Sequence, residues 1–252
     1  MKRARAKKTR AAPLSRKIFL LAIFVMSQVV FFNSPFFQLK SIEVYGNQKV
    51  GKEDIVQAAK VNAGDNILRI SIPEINKSVK SIIWIKSVKV SRIFPGGLKI
   101  QVEERKPALV VSRDDPSMEW FDADEDGYVL EAAPPVEDEM TPHVVLQQKK
   151  KIEVGSRIDS DKIRIALDAW TELDDKLKGV LLYFEIDEDR NLTLECDIND
   201  NPLEIRLGVT KDLSSKFANL YALLDYLDKK KVQAEYIDYR FSQPYVMPKK
   251  SK

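Results

Sequence analysis

Between Trp84 and Pro107 the chain reads WIKSVKVSRIFPGGLKIQVEERKP, and no other stretch limits its fold so tightly. Val88 and Val90 alternate with Lys89 and Ser91. After Pro95-Gly96-Gly97, Leu98, Ile100 and Val102 alternate with Lys99, Gln101 and Glu103. An apolar residue at every second position gives each half one buried and one wet face, the pattern of a half-buried strand. Proline fixes φ and the two glycines can take positive φ, so the spacing predicts a hairpin turned at 95–97. Glu103-Glu104-Arg105 should end the second strand, and Lys106-Pro107 should turn the chain away. Such a hairpin suits many α+β domains, so its meaning depends on its flanks.

Upstream lies a sharp contrast. Residues 1–17 carry eight Lys and Arg and no acid, a composition that cannot bury enough apolar surface to fold alone. The net charge of +3 comes from this tail, since the remainder holds 33 of the 41 bases against all 38 acids, net −5. That balance argues against nucleic acid as a partner of the folded part. Ile18 to Phe32 is uncharged and apolar on every face, interrupted only by Ser27-Gln28, and Phe36 and Phe37 extend it past Asn33-Ser34-Pro35. Roughly 20 such residues at about 1.5 Å each cross a bilayer core. The exit Val29-Val30-Phe31-Phe32 is bulky where signal-peptide cleavage needs small residues, which favours an uncleaved anchor over a cleaved signal. Residues 18–37 are therefore expected to span the lipid bilayer. The charge bias places the N-terminus in the cytoplasm and everything beyond Asn33 outside.

After the span, Gln38 to Asn47 reads as a short strand with Ile42 and Val44 on one face, and Lys52 to Val61 as a short helix. A second helix follows a polar loop, with Ser71 and Glu74 as a capping box, Pro73 in its first turn, and Ile75, Val79, Ile82 and Ile83 as its buried stripe. With the hairpin, the order is β-α-α-β-β.

The strand ending VYGN, the two helices, the string W-I-x-x-V-x-V-x-R-x-F-P-x-x-L-x-I-x-V-x-E-R-x-P, and the basic tail and anchor directly upstream together resemble the FtsQ/DivIB bacterial cell-division proteins. The folded unit resembles their POTRA module. The expected fold class is α+β: a transmembrane helix, a POTRA domain over 38–106, and a mixed α/β domain over 107–242 on an antiparallel-rich sheet with two helices. Residues 243–252 are expected as a C-terminal tail.

The distal half fits that expectation. Ala108–Val111 continues as a strand. Asp122, Asp124, Asp126, Gly127 and Val129 match part of a calcium loop, but its twelfth position is Ala133 and no helices flank it. A solvated turn between strands 119–121 and 128–131 accounts for the same residues, and the resemblance implies a hairpin at this point. Residues 131–142 read as a surface loop, and His143 as the start of a buried strand. Asp159–Lys178 has the period of one amphipathic helix. Strands are expected at 180–186, 192–198 (holding Cys196) and 203–207. A last helix, with Thr210 as its expected cap, carries Leu213, Phe217, Leu220, Leu224 and Leu227 on one stripe. The Y-I-D-Y-R-F string at 236–241 resembles the family's final strand.

Chemistry is hard to find. Cys196 and His143 are the single cysteine and histidine, so neither an intrachain disulfide nor a four-cysteine zinc site can form. No phosphate-binding glycine loop, G-x-S-x-G or H-E-x-x-H appears. A glycosidase-type carboxylate pair stays open, though nothing singles one out. The reading is a non-enzyme with no cofactor or metal.

The resemblance instead implies a divisome scaffold at the septum. It would bind the single-pass proteins FtsB and FtsL and link early to late assembly, with a weak homodimer allowed. The expected mechanism is β-augmentation on the last strand. By position, Phe241 matches an aromatic at its partner-facing end, Arg240 stands beside it, and Ser242, Gln243 and Tyr245 follow along the edge. Arg190, read within a strand, is a candidate charge partner, and Pro244 should limit the pairing. A POTRA-bearing component of outer-membrane assembly or secretion is the alternative. Such proteins repeat the module and end in a barrel, whereas this chain has one copy and no series of roughly 10-residue alternating spans. An anchored envelope hydrolase is a third.

Overall fold

The computed structural model describes residues 14–115, 119–133, 141–198, 200–209, 212–241 and 243–249. Most of the basic tail, most of the 131–142 loop, Thr210, Ser242 and residues 250–252 lie outside the described residues. The chain forms two compact units, parting between Glu104 and Arg105.

The first unit opens with helix α1 (Leu14–Phe32). Between Arg16 and Phe37 an 18-residue window reaches a mean hydropathy of 1.9 with no residue of that window buried, so α1 is a candidate membrane anchor. Then come β1 (Ser41–Tyr45), α2 (Lys52–Ala59), α3 (Ile72–Lys80), β2 (Ile85–Ile93) and β3 (Gly97–Glu104). β3 is central, antiparallel to β2 and parallel to β1. A parallel pair needs a long crossover, and α2 and α3 lie within the connection between β1 and β3. Ile55, Ile75 and Val79 from the helices pack on Ile85, Leu98, Ile100 and Val102 from the strands, all buried. Each such side chain contributes about 1.5–3 kcal/mol.

Three local expectations are corrected. Neither Gly96 nor Gly97 takes positive φ; the hairpin reverses at a cis Phe94–Pro95 peptide, and Gly96 is required for space because a Cβ there would run into the Gln38 carbonyl oxygen. Ser71 is the N-cap of α3, yet its side chain makes no capping bond; Pro73, at N2, has no N–H to give. Since α3 ends at Lys80, its stripe stops at Val79, leaving Ile82 half-buried and Ile83 exposed.

The second unit contains β4 (Leu109–Arg113), β5 (Phe121–Ala123), β6 (Val129–Ala132), β7 (His143–Leu146), α4 (Ser160–Glu172), α5 (Asp175–Lys178), β8 (Leu181–Ile186), β9 (Leu192–Asp197), β10 (Pro202–Gly208), α6 (Leu213–Lys230), β11 (Ala234–Asp238) and β12 (Tyr245–Pro248). The strands form one sheet in the order β12-β11-β10-β9-β8-β7-β4-β5-β6, antiparallel except for β10–β11, β4–β7 and β7–β8. Ile163, Ala166 and Ala169 of α4 join Leu213, Phe217, Leu220 and Leu227 of α6 in one core with Phe184, Leu194, Cys196, Ile205 and Ile237. Both long helices thus cover one face of β8–β11.

Here too the expectations shift. The single helix over 159–178 is broken: Leu173 is extended, and Asp174 restarts the chain as α5 by accepting a bond from the Leu177 N–H. The acid-rich turn is not simply solvated. Asp124 is buried and paired with buried Arg105 at 2.5 Å, and its other oxygen accepts the N–H groups of Asp126 and Tyr128. A carboxylate so engaged is poorly placed to receive calcium, and among the described residues no group of three or more His, Cys, Asp or Glu could hold a metal ion. The Glu104-Arg105 dipeptide therefore serves both units. Glu104 accepts the N–H groups of Gln48, Lys49 and Val50 in the first, and Arg105 pairs with Asp124 in the second. Lastly, residues 245–248 of the expected tail are strand β12, paired antiparallel with β11.

Candidate partner-docking edge

The docking edge expected from the sequence is the outer side of the strand running to Phe241. In the fold that side of β11 is taken by the chain's own β12, and β11 stops at Asp238. The open border moves one strand outward. Among the described residues β12 ends the sheet and pairs with β11 alone.

The hydrogen-bond parity of this border follows from its neighbours. Tyr239 donates its N–H to the Arg206 carbonyl, so by alternation Ile237 faces β10 while Tyr236 and Asp238 face β12. Their partners Met247 and Tyr245 therefore bond inward, as does Lys249, whose N–H donates to the Gln233 carbonyl. Val246 faces outward, and so do Pro244 and Pro248, which have no N–H. The border thus presents one amide donor, at Val246, among outward carbonyl oxygens. An incoming strand would have to supply most of the donors.

Side chains add the rest. Phe241, in the β11–β12 connection, is 68% exposed, Tyr245 is 53% exposed and Met247 lies beside it at 36%. The Tyr245 ring rests against Tyr236, 6.0 Å between centroids, and the Arg206 guanidinium covers Tyr236 at 4.6 Å. Arg240 is fastened to Asp238 by three bonds of 2.6–3.1 Å and lies 5.9 Å from the Phe241 ring. These bonds, opposed by burial, hold the Asp238 carboxyl below the usual range. The fold thus brings Arg240, Phe241, Gln243 and Tyr245 into or beside one short hairpin, with Ser242 outside the described residues. Arg190 is elsewhere and not in a strand. It sits at positive φ in the β8–β9 turn, bound to Asp159 at 2.9 Å and Asp161 at 2.8 Å at the start of α4. Its charge is taken up by these two acids, of which Asp159 caps the helix by accepting the Asp161 N–H.

Sequence reasoning missed the face beside this edge. Cross-strand register puts Glu185 (β8), Glu195 (β9), Glu204 (β10), Tyr236 and Met247 on the side of the sheet opposite the helices. Glu195 and Glu204 are directly opposed. Burial, then repulsion from Glu204 and Glu185, pushes the Glu195 carboxyl up to about 7, against some relief from Arg206. A carboxyl raised in the folded state keeps its proton after the unfolded chain has lost it, so stability falls as pH rises from about 4.5 to about 7. Water reaches this face and screens the repulsion, so Glu195→Gln is expected to raise stability at pH 8 by about 1 kcal/mol and to leave it unchanged at pH 4. Melting curves of the detergent-solubilised chain at the two pH values provide the check.

Comparison with known proteins gives a consistent pattern. Residues 37–105 match the family model for the POTRA domain, FtsQ-type, and residues 119–240 that for Cell division protein FtsQ/DivIB, C-terminal. Cell division protein FtsQ of Syntrophotalea carbinolica is 27% identical over 226 residues, covering 87% of this chain and 76% of the relative. Cell division protein DivIB of Clostridium botulinum (strain Hall) is 25% identical over 228 residues, 88% and 87% of the two chains. A Caulobacter vibrioides FtsQ is 28% identical over 148 residues, 58% of this chain and 48% of the relative.

Proposed function

The chain belongs to the FtsQ/DivIB family of cell division proteins, and from that premise we propose that it is a membrane-anchored scaffold of the division machinery. Helix α1 holds two small units on the outer side of the cytoplasmic membrane, with the basic N-terminal tail inside, at the septum. The sheet-rich unit receives FtsB/FtsL-type single-pass proteins along β12 and so links early to late assembly. No reaction is assigned to the protein.

The observation that carries this reading is the free border of β12 with exposed aromatics around it. A long unprotected edge invites aggregation, and proline is a common guard against it. Here Pro244 and Pro248 leave the single outward amide of Val246 between them. That arrangement suits a short, side-chain-selected strand addition rather than indiscriminate pairing.

Co-expression of the full chain with FtsB- and FtsL-type proteins and purification through this chain tests the reading. The three should leave the membrane fraction together, and a chain truncated after Gln243 should emerge alone. Undiminished co-purification of the truncated chain would move the docking site off β12.

A further inference from the structure

The end of the anchor is hooked into the POTRA unit. The Val29 carbonyl accepts both the N–H and the Nδ2 of Asn33, while the Phe32 carbonyl accepts Asn66 Nδ2 at 2.7 Å. Arg69 donates to Asn33 Oδ1 at 2.6 Å, the Phe37 carbonyl accepts the Ile67 N–H, and Gln38 forms an antiparallel bridge with Asn66. From the other side Arg92 donates to the Ile67 and Ile70 carbonyls. The loop 64–70 is thereby bonded both to the last turn of α1 and to the body of the POTRA unit. Wherever a bilayer ends around Phe31 to Phe37, this loop is held at the level of the lipid headgroups.

Directly beside the loop lies a groove of about 610 Å³ between the start of β1 and helix α2. Its walls include the apolar side chains of Leu39, Ile42 and Val56. Lys40 and Lys60, both exposed, stand at the end next to the hook, and Lys52 is one helix length on, about 12 Å at 1.5 Å per residue. Glu53 is the one acid among the lining residues. Asp65, in the neighbouring loop, directs its carboxylate at the Asn62 N–H. This end therefore carries three cations: Arg69, bonded to Asn33 just past the anchor, and Lys40 and Lys60 on the groove beside it.

We propose that this end of the POTRA unit binds anionic phospholipid headgroups, with Lys40, Lys60 and Arg69 on the phosphates. The groove mouth then lies flat on the bilayer surface. The proposal rests on the reading of α1 as an anchor. Anionic lipid is favoured because the hook fixes the cations at headgroup depth and their charge is complementary to it. The lipid contact would set the height at which the scaffold meets its partners.

The test uses the full chain in vesicles of phosphatidylglycerol and phosphatidylcholine in equal parts, containing a nitroxide-headgroup lipid as quencher. Ala63→Cys puts a thiol on the loop, and Gln48→Cys puts a control beyond the far end of β1, about 20 Å on at 3.3 Å per residue. Cys196 is buried with its thiol pushed up to about 12, so a maleimide fluorophore reads the introduced thiol. The fluorophore at residue 63 should be quenched and that at 48 spared. Quenching at 63 should fall in pure phosphatidylcholine, and in the K40Q/K60Q/R69Q chain, by about fivefold in docked population per charge removed. Quenching at 63 no greater than at 48, or indifferent to lipid charge and to the three substitutions, overturns the proposal. Shielding of residue 63 from aqueous iodide without lipid quenching also overturns it, in favour of a protein segment in the groove. Alkaline extraction separates the two ideas: a chain stripped from the vesicles removes the anchor reading, whereas a retained chain with residue 63 unquenched removes the headgroup contact alone.

Discussion

Replacing Asp124 with alanine is expected to destabilise the sheet-rich unit by about 3–5 kcal/mol, the cost of breaking a buried ion pair and leaving Arg105 only the half-exposed Asp126 carboxylate, 3.7 Å away. Arg105 is 7% exposed and Asp124 2%. One carboxylate oxygen meets Arg105 Nη1 at 2.5 Å and the other takes two backbone N–H bonds, from Asp126 at 3.0 Å and Tyr128 at 2.8 Å. The guanidinium also stacks over Tyr128, 3.6 Å from its centroid. Alanine removes all the acceptors at once, so the turn between β5 and β6 loses its brace as well as its charge. Asp124→Asn keeps an acceptor for the two N–H groups but leaves Arg105 only the more distant Asp126 carboxylate as counter-charge. Adding Arg105→Met to it should recover much of the loss, since no charge then remains to be solvated. Urea unfolding of the four chains measures this. A loss below about 1 kcal/mol for Asp124→Ala would mean that water reaches the pair as it reaches a surface ion pair.

The second large effect is on binding. Phe241→Asp combined with Tyr245→Asp is expected to weaken capture of an FtsB/FtsL-type partner by about 100-fold or more, as when central interface aromatics are lost. Both side chains are more than half exposed, at 68% and 53%, so the free protein should lose no more than about 0.5 kcal/mol of stability. Titration of the partner onto the variant, alongside its melting curve, separates the two effects. Unfolding of the variant would place the aromatics in the core; unchanged affinity would remove them from the interface.

The parts of the fold that were legible in the sequence are those set by local periodicity. The β2–β3 hairpin and the stripes of α4 and α6 announce themselves because alternation and the 3.6-residue repeat are local. The parallel pairing of β1 with β3 is a long-range outcome that no window of sequence contains. The α4–α5 break is unmarked by glycine or proline and depends on Asp174 finding the Leu177 N–H. The burial of Asp124 is hidden because a run of acids looks like surface. Its neutralising partner, Arg105, stands nineteen residues earlier. The largest miss was β12. Lys249, Lys250 and Lys252 and two prolines gave residues 243–252 the look of a tail. The signal was the Tyr245-Val246-Met247 alternation between the prolines, with the aromatic and Met247 on one face and the valine packed inward. Phe241 and Tyr245 lie close in the chain around that strand. Arg190 does not join them, because Asp159 and Asp161 claim it.

Whether a partner adds to the border of β12 is reported directly by Val246. The amides of Tyr245 and Met247 face β11 and Pro244 and Pro248 have none, so Val246 carries the one outward N–H of the strand. Hydrogen exchange of its amide should be fast in the chain alone and slow severalfold when the FtsB/FtsL-type partner is added. An exchange rate at Val246 that stays the same under saturating partner, with protection appearing elsewhere on the sheet-rich unit, would contradict the account.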